Sequence, residues 1–84
     1  MKMDSETERR IAVYDRHYQF KPHFPYRTCG LDDPKINRKT VIFMGWRAIP
    51  GDIVRAVVRM MMPDGASDPN CEWFVDPRYV IKIP

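Results

Sequence analysis

Hydrophobic and polar positions along this 84-residue chain change period as the chain proceeds. Between Ser5 and Tyr18, the apolar positions Ile11, Tyr14 and Tyr18 recur at the three- and four-residue spacing of one helix face. Ser5 followed by Glu8 matches a capping box, and Glu6 stands four residues before Arg10, a helix-supporting pair. Ile11-Ala12-Val13-Tyr14 also suits a strand, but cap and spacing together predict a short helix ending before Pro22. Residues 1–10 read as a frayed start or as the first turns of that helix.

No period survives across residues 19–40. Pro22 and Pro25 lack a backbone donor and push their predecessors towards extended conformations, so Lys21 to Tyr26 cannot be helix interior. Cys29 to Pro34 reads as turns, and Asn37 to Thr40 is polar and basic. The expectation is a long irregular connection, of the kind that often carries function.

Strand patterning begins at Val41. Val41-Ile42-Phe43-Met44-Gly45-Trp46 is β-branched and aromatic with apolar residues on both faces, which predicts a central strand over 41–49, with Gly45 marking a bulge or a close backbone approach. Ile49-Pro50-Gly51-Asp52 predicts a turn. Residues 53–62 fit two templates. A strand would line up Val54, Ala56, Val58, Met60 and Met62 against Arg55 and Arg59. A helix capped by Asp52 would bury Ile53, Val54, Val57, Val58 and Met61. The β-branched content and the preceding turn favour the strand. Met62-Pro63-Asp64-Gly65 predicts a turn, extended as a loop through Asn70. Cys71 to Val75 and Tyr79 to Ile83 predict two short strands separated by a bend at Asp76-Pro77.

These elements predict a mainly β domain, with α+β as the alternative class: a small, strongly bent antiparallel sheet or open barrel of four to five strands, with a short N-terminal helix. The segments Pro50-Gly51-Asp52-Ile53-Val54 and Asp76-Pro77-Arg78-Tyr79-Val80, about a dozen residues in all, resemble turns of Src-homology-3-like barrels. There a Gly-Asp/Glu turn enters one strand and a Pro-x-x-Tyr-Val turn leads to the last. The resemblance bears on fold alone.

Size and composition narrow the function classes. The chain has room for one domain, residues 1–84, and a chain this short buries only about 60–65% of the surface its unfolded form exposes. A deep enclosed active site would consume much of so small a core, so an enzyme is not expected. The apolar fraction of 44% excludes global disorder. No apolar run reaches the ~20 residues of a membrane span. The N-terminal ten residues lack the apolar segment of a secretion signal. Two cysteines, Cys29 and Cys71, outside any Cys-x-x-Cys pattern, read as free thiols in a reducing compartment, so a cytoplasmic location is expected.

The formal charge is +3, unevenly distributed. Lys35, Arg38, Lys39, Arg47, Arg55 and Arg59 face only Asp52 across the middle of the chain, and Asp64, Asp68, Glu72 and Asp76 follow without a cation. The favoured reading is two segments that pair and neutralise each other. The alternative is a basic face for nucleic acid or for an acidic protein surface.

Residue types and their spacing bound the candidate chemistry. His17, His23, Cys29 and Cys71 are zinc-ligand types without the two-to-five-residue spacing of paired ligands, so no metal or other cofactor is expected. Cys29 with either histidine lacks any nucleophile signature, and Asp32-Asp33 before Pro34 fits a turn better than a shared proton. The strongest signal is compositional. Tyr14, Tyr18, Phe20, Phe24 and Tyr26 crowd one thirteen-residue stretch, and Tyr, Phe, Trp, Met and Arg are the residues that interface cores enrich. Tyr14 and Phe20 are expected to be mostly buried, with Tyr18, Phe24 and Tyr26 at least partly exposed. A strand over 53–62 turns Met61 outward beside Arg55 and Arg59. The sequence therefore points to a non-enzymatic module that binds another protein, as regulator, inhibitor or subunit, through Tyr18, Phe24, Tyr26, Arg47, Arg55, Arg59 and Met61. The alternative is a DNA- or RNA-binding barrel using Lys35, Arg38, Lys39, Arg47, Arg55 and Arg59.

Overall fold

The structure, a computed structural model, describes residues 5–51 and 53–84. Helix α1 (Ser5–Tyr18) precedes five strands: β1 (Pro25–Thr28), β2 (Thr40–Ile49), β3 (Ile53–Met61), β4 (Ser67–Val75) and β5 (Val80–Lys82). A 3-10 turn, Pro77–Tyr79, joins β4 to β5. The strands form one antiparallel sheet in the order β4-β3-β2-β1-β5.

Connection length forces this sheet to curl. In a flat five-stranded sheet the outer strands lie ~19 Å apart at ~4.8 Å per strand. Val75 ends β4 at one edge, and Val80 begins β5 at the other. The five steps between them include the 3-10 turn, whose ~2 Å rise per residue limits the reach to roughly 13 Å. The two edges must therefore bend towards each other, and Val75 and Val80 share one core cluster with Phe20, Tyr26, Ile36, Val41, Phe43, Ala56 and Val58. The sheet does not close into a true barrel, since β4 and β5 form no ladder.

The helix, the central strand over 41–49 and the strand over 53–62 are as expected, and the last turn leads into the last strand as the Src-homology-3-like resemblance implied. The bulge also falls where Gly45 placed it. Phe43 pairs Val58 and Gly45 pairs Val57, leaving Met44 as the extra residue, and Gly45 takes φ +143°. Asp52, read as part of a turn or as a helix cap, lies outside the described residues.

Three expectations fail. Residues 25–28 are not irregular but form β1, between β2 and β5, with Pro25 at the first position, where its missing N–H is tolerated. The loop expected over 66–70 is shorter, because Ser67 already begins β4. Its ladder jumps from Glu72 opposite Arg59 to Ser67 opposite Met61, across a stretch that holds Pro69, which cannot donate. Ser5, expected as the capping residue, is itself helical, while Glu6 and Arg10 do pair at 3.1 Å.

Candidate functional site

Ladder register divides the sheet into two faces, because directly opposite residues share a face. The inner face carries Tyr26 and Thr28 of β1, Val41, Phe43, Trp46 and Ala48 of β2, Val54, Ala56, Val58 and Met60 of β3, and Trp73 and Val75 of β4. Helix α1 sits on this side, its Tyr14 and Tyr18 rings 5.9 and 5.8 Å from that of Trp46. The outer face carries Arg47 and Ile49 of β2, Ile53, Arg55, Val57, Arg59 and Met61 of β3, and Glu72 and Phe74 of β4. Ile42 and Val57 at its centre are buried, Ile53, Met61 and Phe74 are exposed, and Leu31, Asp32, Asp33 and Ile36 of the β1–β2 connection line a cavity beside Ile49, Arg55 and Phe74.

The ring cluster splits differently from expectation. Phe20 is buried, and Tyr18 is half-buried, as expected. Phe24 is exposed, with the Lys21 ammonium 5.6 Å from its ring centre. Tyr26, expected at a contact surface, is 2% exposed. It alternates with Thr28 on β1, so strand periodicity turns both inward, and its hydroxyl accepts the Lys21 N–H at 2.7 Å. Tyr14, expected to be mostly buried, is exposed, because α1 buries no side chain and meets the sheet only through its ring stripe.

The arginines end up in defined company. Arg59 and Glu72 are opposite each other in the ladder and bond at 2.8 Å. Arg55 reaches Asp76 at 3.4 Å. The basic middle and the acidic stretch thus neutralise each other at two points. Arg47 differs: its Cα partner is Arg55, and its guanidinium carbon sits 5.3 Å from the Phe74 ring centre. Met61 is exposed on the same face, as its register in β3 required. Lys35, Arg38 and Lys39 are exposed in the β1–β2 connection. Lys39 is anchored at the head of β2 by bonds with Thr28, so Arg47 lies up to roughly 25 Å further along that strand at ~3.3 Å per residue. Between these two ends, β3 places Arg59 opposite Ile42 and Arg55 opposite Arg47.

At the ends of β3 and β4 a cleft of about 360 Å³ is lined by Tyr14, Tyr18, Ile53, Val54, Arg55, Asp76, Pro77 and Arg78. It brings Tyr18 and Arg55 together, and leaves Phe24, Arg59 and Met61 elsewhere. Hydrogen bonds from Arg78 hold the Asp76 carboxyl below its ordinary range against the opposing effect of burial. Burial first, and then the Asp76 charge, push the Tyr18 phenol up.

Among the described residues, no group of three or more His, Cys, Asp or Glu side chains is placed to hold a metal. His17 lies on α1 against Tyr18, His23 in the turn before β1, Cys29 after β1, and Cys71 on β4, both thiols exposed. Asp33 serves a turn, its carboxylate accepting the Lys35 N–H at 2.9 Å. No described helix is long and apolar enough to cross a membrane.

Sequence reasoning missed Phe74, Ile53 and Arg78. Phe74 was legible in principle: it shares the strand period of Glu72, while Trp73 and Val75 point inward. Searches against protein-family models, curated proteins and solved structures find no match to the chain. The fold and surface are those of a small β-rich domain, consistent with a protein-interaction module.

Proposed function

We propose that this chain is a non-enzymatic cytoplasmic module that binds another protein, as a regulator, inhibitor or subunit of a larger assembly. One observation carries the reading. The outer face of β2, β3 and β4 exposes Ile53 (43%), Met61 (38%) and Phe74 (44%) among three arginines. Large apolar groups interleaved with Arg are what the cores of protein interfaces enrich, and water gains nothing from keeping them apart.

The test is capture from a cell extract with the wild-type chain and with Phe74→Asp, an exposed position whose change leaves the core intact. A protein retained by the first and lost by the second supports the reading. Retention of nucleic acid alone, abolished by Arg55→Glu, overturns it.

A further inference from the structure

Resting on the protein-binding reading above, we infer that the outer sheet face takes an acidic segment of its partner bearing apolar anchors, and that Arg47 is the residue that selects for acidity. Arg47 and Arg55 stand directly opposite each other in the β2–β3 ladder, a like-charge arrangement that weakens a sheet. Arg55 is answered by Asp76, whereas Arg47 has no carboxylate within ion-pair distance among the described residues. Its guanidinium is held over Phe74 instead, which orders the side chain while leaving its donors unbonded among the described residues. A planar guanidinium so held is preorganised for a carboxylate, which it can bind through two parallel bonds.

Charge and spacing define the occupant. The outer face carries Arg27, Arg47, Arg55 and Arg59 against Glu72 and the Asp76 that answers Arg55, so cations outnumber carboxylates there and a second copy applied face to face would bring like charges together. Ile53 and Met61 flank Phe74 along β3, about 26 Å apart at ~3.3 Å per residue. The matching segment therefore has an apolar group near each end and at its centre, with carboxylates between. Two of the arginines are already paired with Glu72 and Asp76, which favours a short acidic peptide over the continuous charge of nucleic acid.

The experiment is selection of random displayed peptides on the purified chain, with counter-selection against Arg47→Glu. Enriched peptides should combine Asp or Glu with Leu, Ile or Phe. Their synthetic copies should bind Arg47→Glu at least about tenfold more weakly and lose affinity as salt rises. The variant should melt no lower than wild type, because it replaces a like-charge pair with an opposite one. Enriched peptides without acidic residues, or indifferent to Arg47→Glu, overturn the inference and leave the protein-binding reading standing. An Arg47-dependent dimer in sedimentation, or a selection that enriches no peptide, also overturns it. Arg47-dependent binding of a short oligonucleotide in place of any peptide overturns both readings.

Discussion

Trp46 of β2 donates its indole N–H to the Asp15 carboxylate of α1 at 3.1 Å. Its ring also contacts those of Tyr14, Tyr18, Phe20 and Phe43. Because α1 has no buried residue, this one side chain carries much of the helix docking. Trp46→Ala should cost about 2–4 kcal/mol, towards the low end because the ring is half-buried. Asp15→Ala should cost about 0.5–1 kcal/mol, as it removes one exposed hydrogen bond. Chemical denaturation gives both values. Amide exchange should show protection lost in α1 before the sheet. Equal loss across both elements would mean that the helix does not depend on this contact.

Among the described residues, Thr28 is the buried polar side chain of the core, with 0% exposure. Its hydroxyl donates to the Ile36 carbonyl and accepts the Lys39 N–H at 3.0 Å, tying the second half of the β1–β2 connection to the sheet. Thr28→Val keeps the shape but strands both backbone groups. The expected loss is about 1–3 kcal/mol, measured by urea unfolding. Thr28→Ser should recover most of the hydrogen bonding. A Val variant as stable as wild type would show that the connection finds other partners.

How much of this was legible follows from the range of each interaction. Helix α1, β2 and β3 are set by local period and turn chemistry, and Gly45 announces its bulge because few residues tolerate its backbone angle. Strand β1 is four residues long and begins with Pro25, so its pattern is too short to read. Only pairing with β2 and β5, distant in sequence, makes it a strand. Tyr26 was misplaced for the same reason. Outward Met61 and the pairing of the basic and acidic segments were readable from strand period and charge order. The contact of Arg47 with Phe74 was not, because it needs the register of three strands at once.

Gly30 follows β1 with φ +92°, and a Cβ added there would meet the Tyr79 ring at 3.0 Å. Gly30→Ala therefore combines a disfavoured backbone angle with a contact that requires Tyr79 to move. Both lie beside the Cys29 N–H bond to the Tyr79 carbonyl at 2.9 Å, which joins the end of β1 to the 3-10 turn. The expected cost is about 1–3 kcal/mol. At Gly65, where φ is +90° but nothing lies within 4 Å, Ala should cost less, from backbone strain alone. Equal losses at the two sites in thermal melts would show that the Tyr79 contact does not matter.

Asp76 links pH to the geometry of the cleft. It accepts from the Arg78 backbone and side chain at 3.0 and 2.8 Å and lies 3.4 Å from Arg55, and the carboxyl is held below its ordinary value chiefly by the Arg78 side-chain bond. A carboxyl depressed in the folded state contributes stability that is fully present above its unfolded pKa, about 3.9, and is lost as pH falls through the lower folded value. Asp76→Asn should thus be less stable than wild type at neutral pH. The gap should stay constant down to about pH 5 and close as the solution is acidified below about pH 4. Arg78→Ala should shift the wild-type acid limb to higher pH more than Arg55→Ala does, since the Arg78 bond is the larger cause. Urea melts at a series of pH values test this. A gap that persists undiminished into strong acid would show that Asp76 acts through the shape of the 3-10 turn and not through its charge.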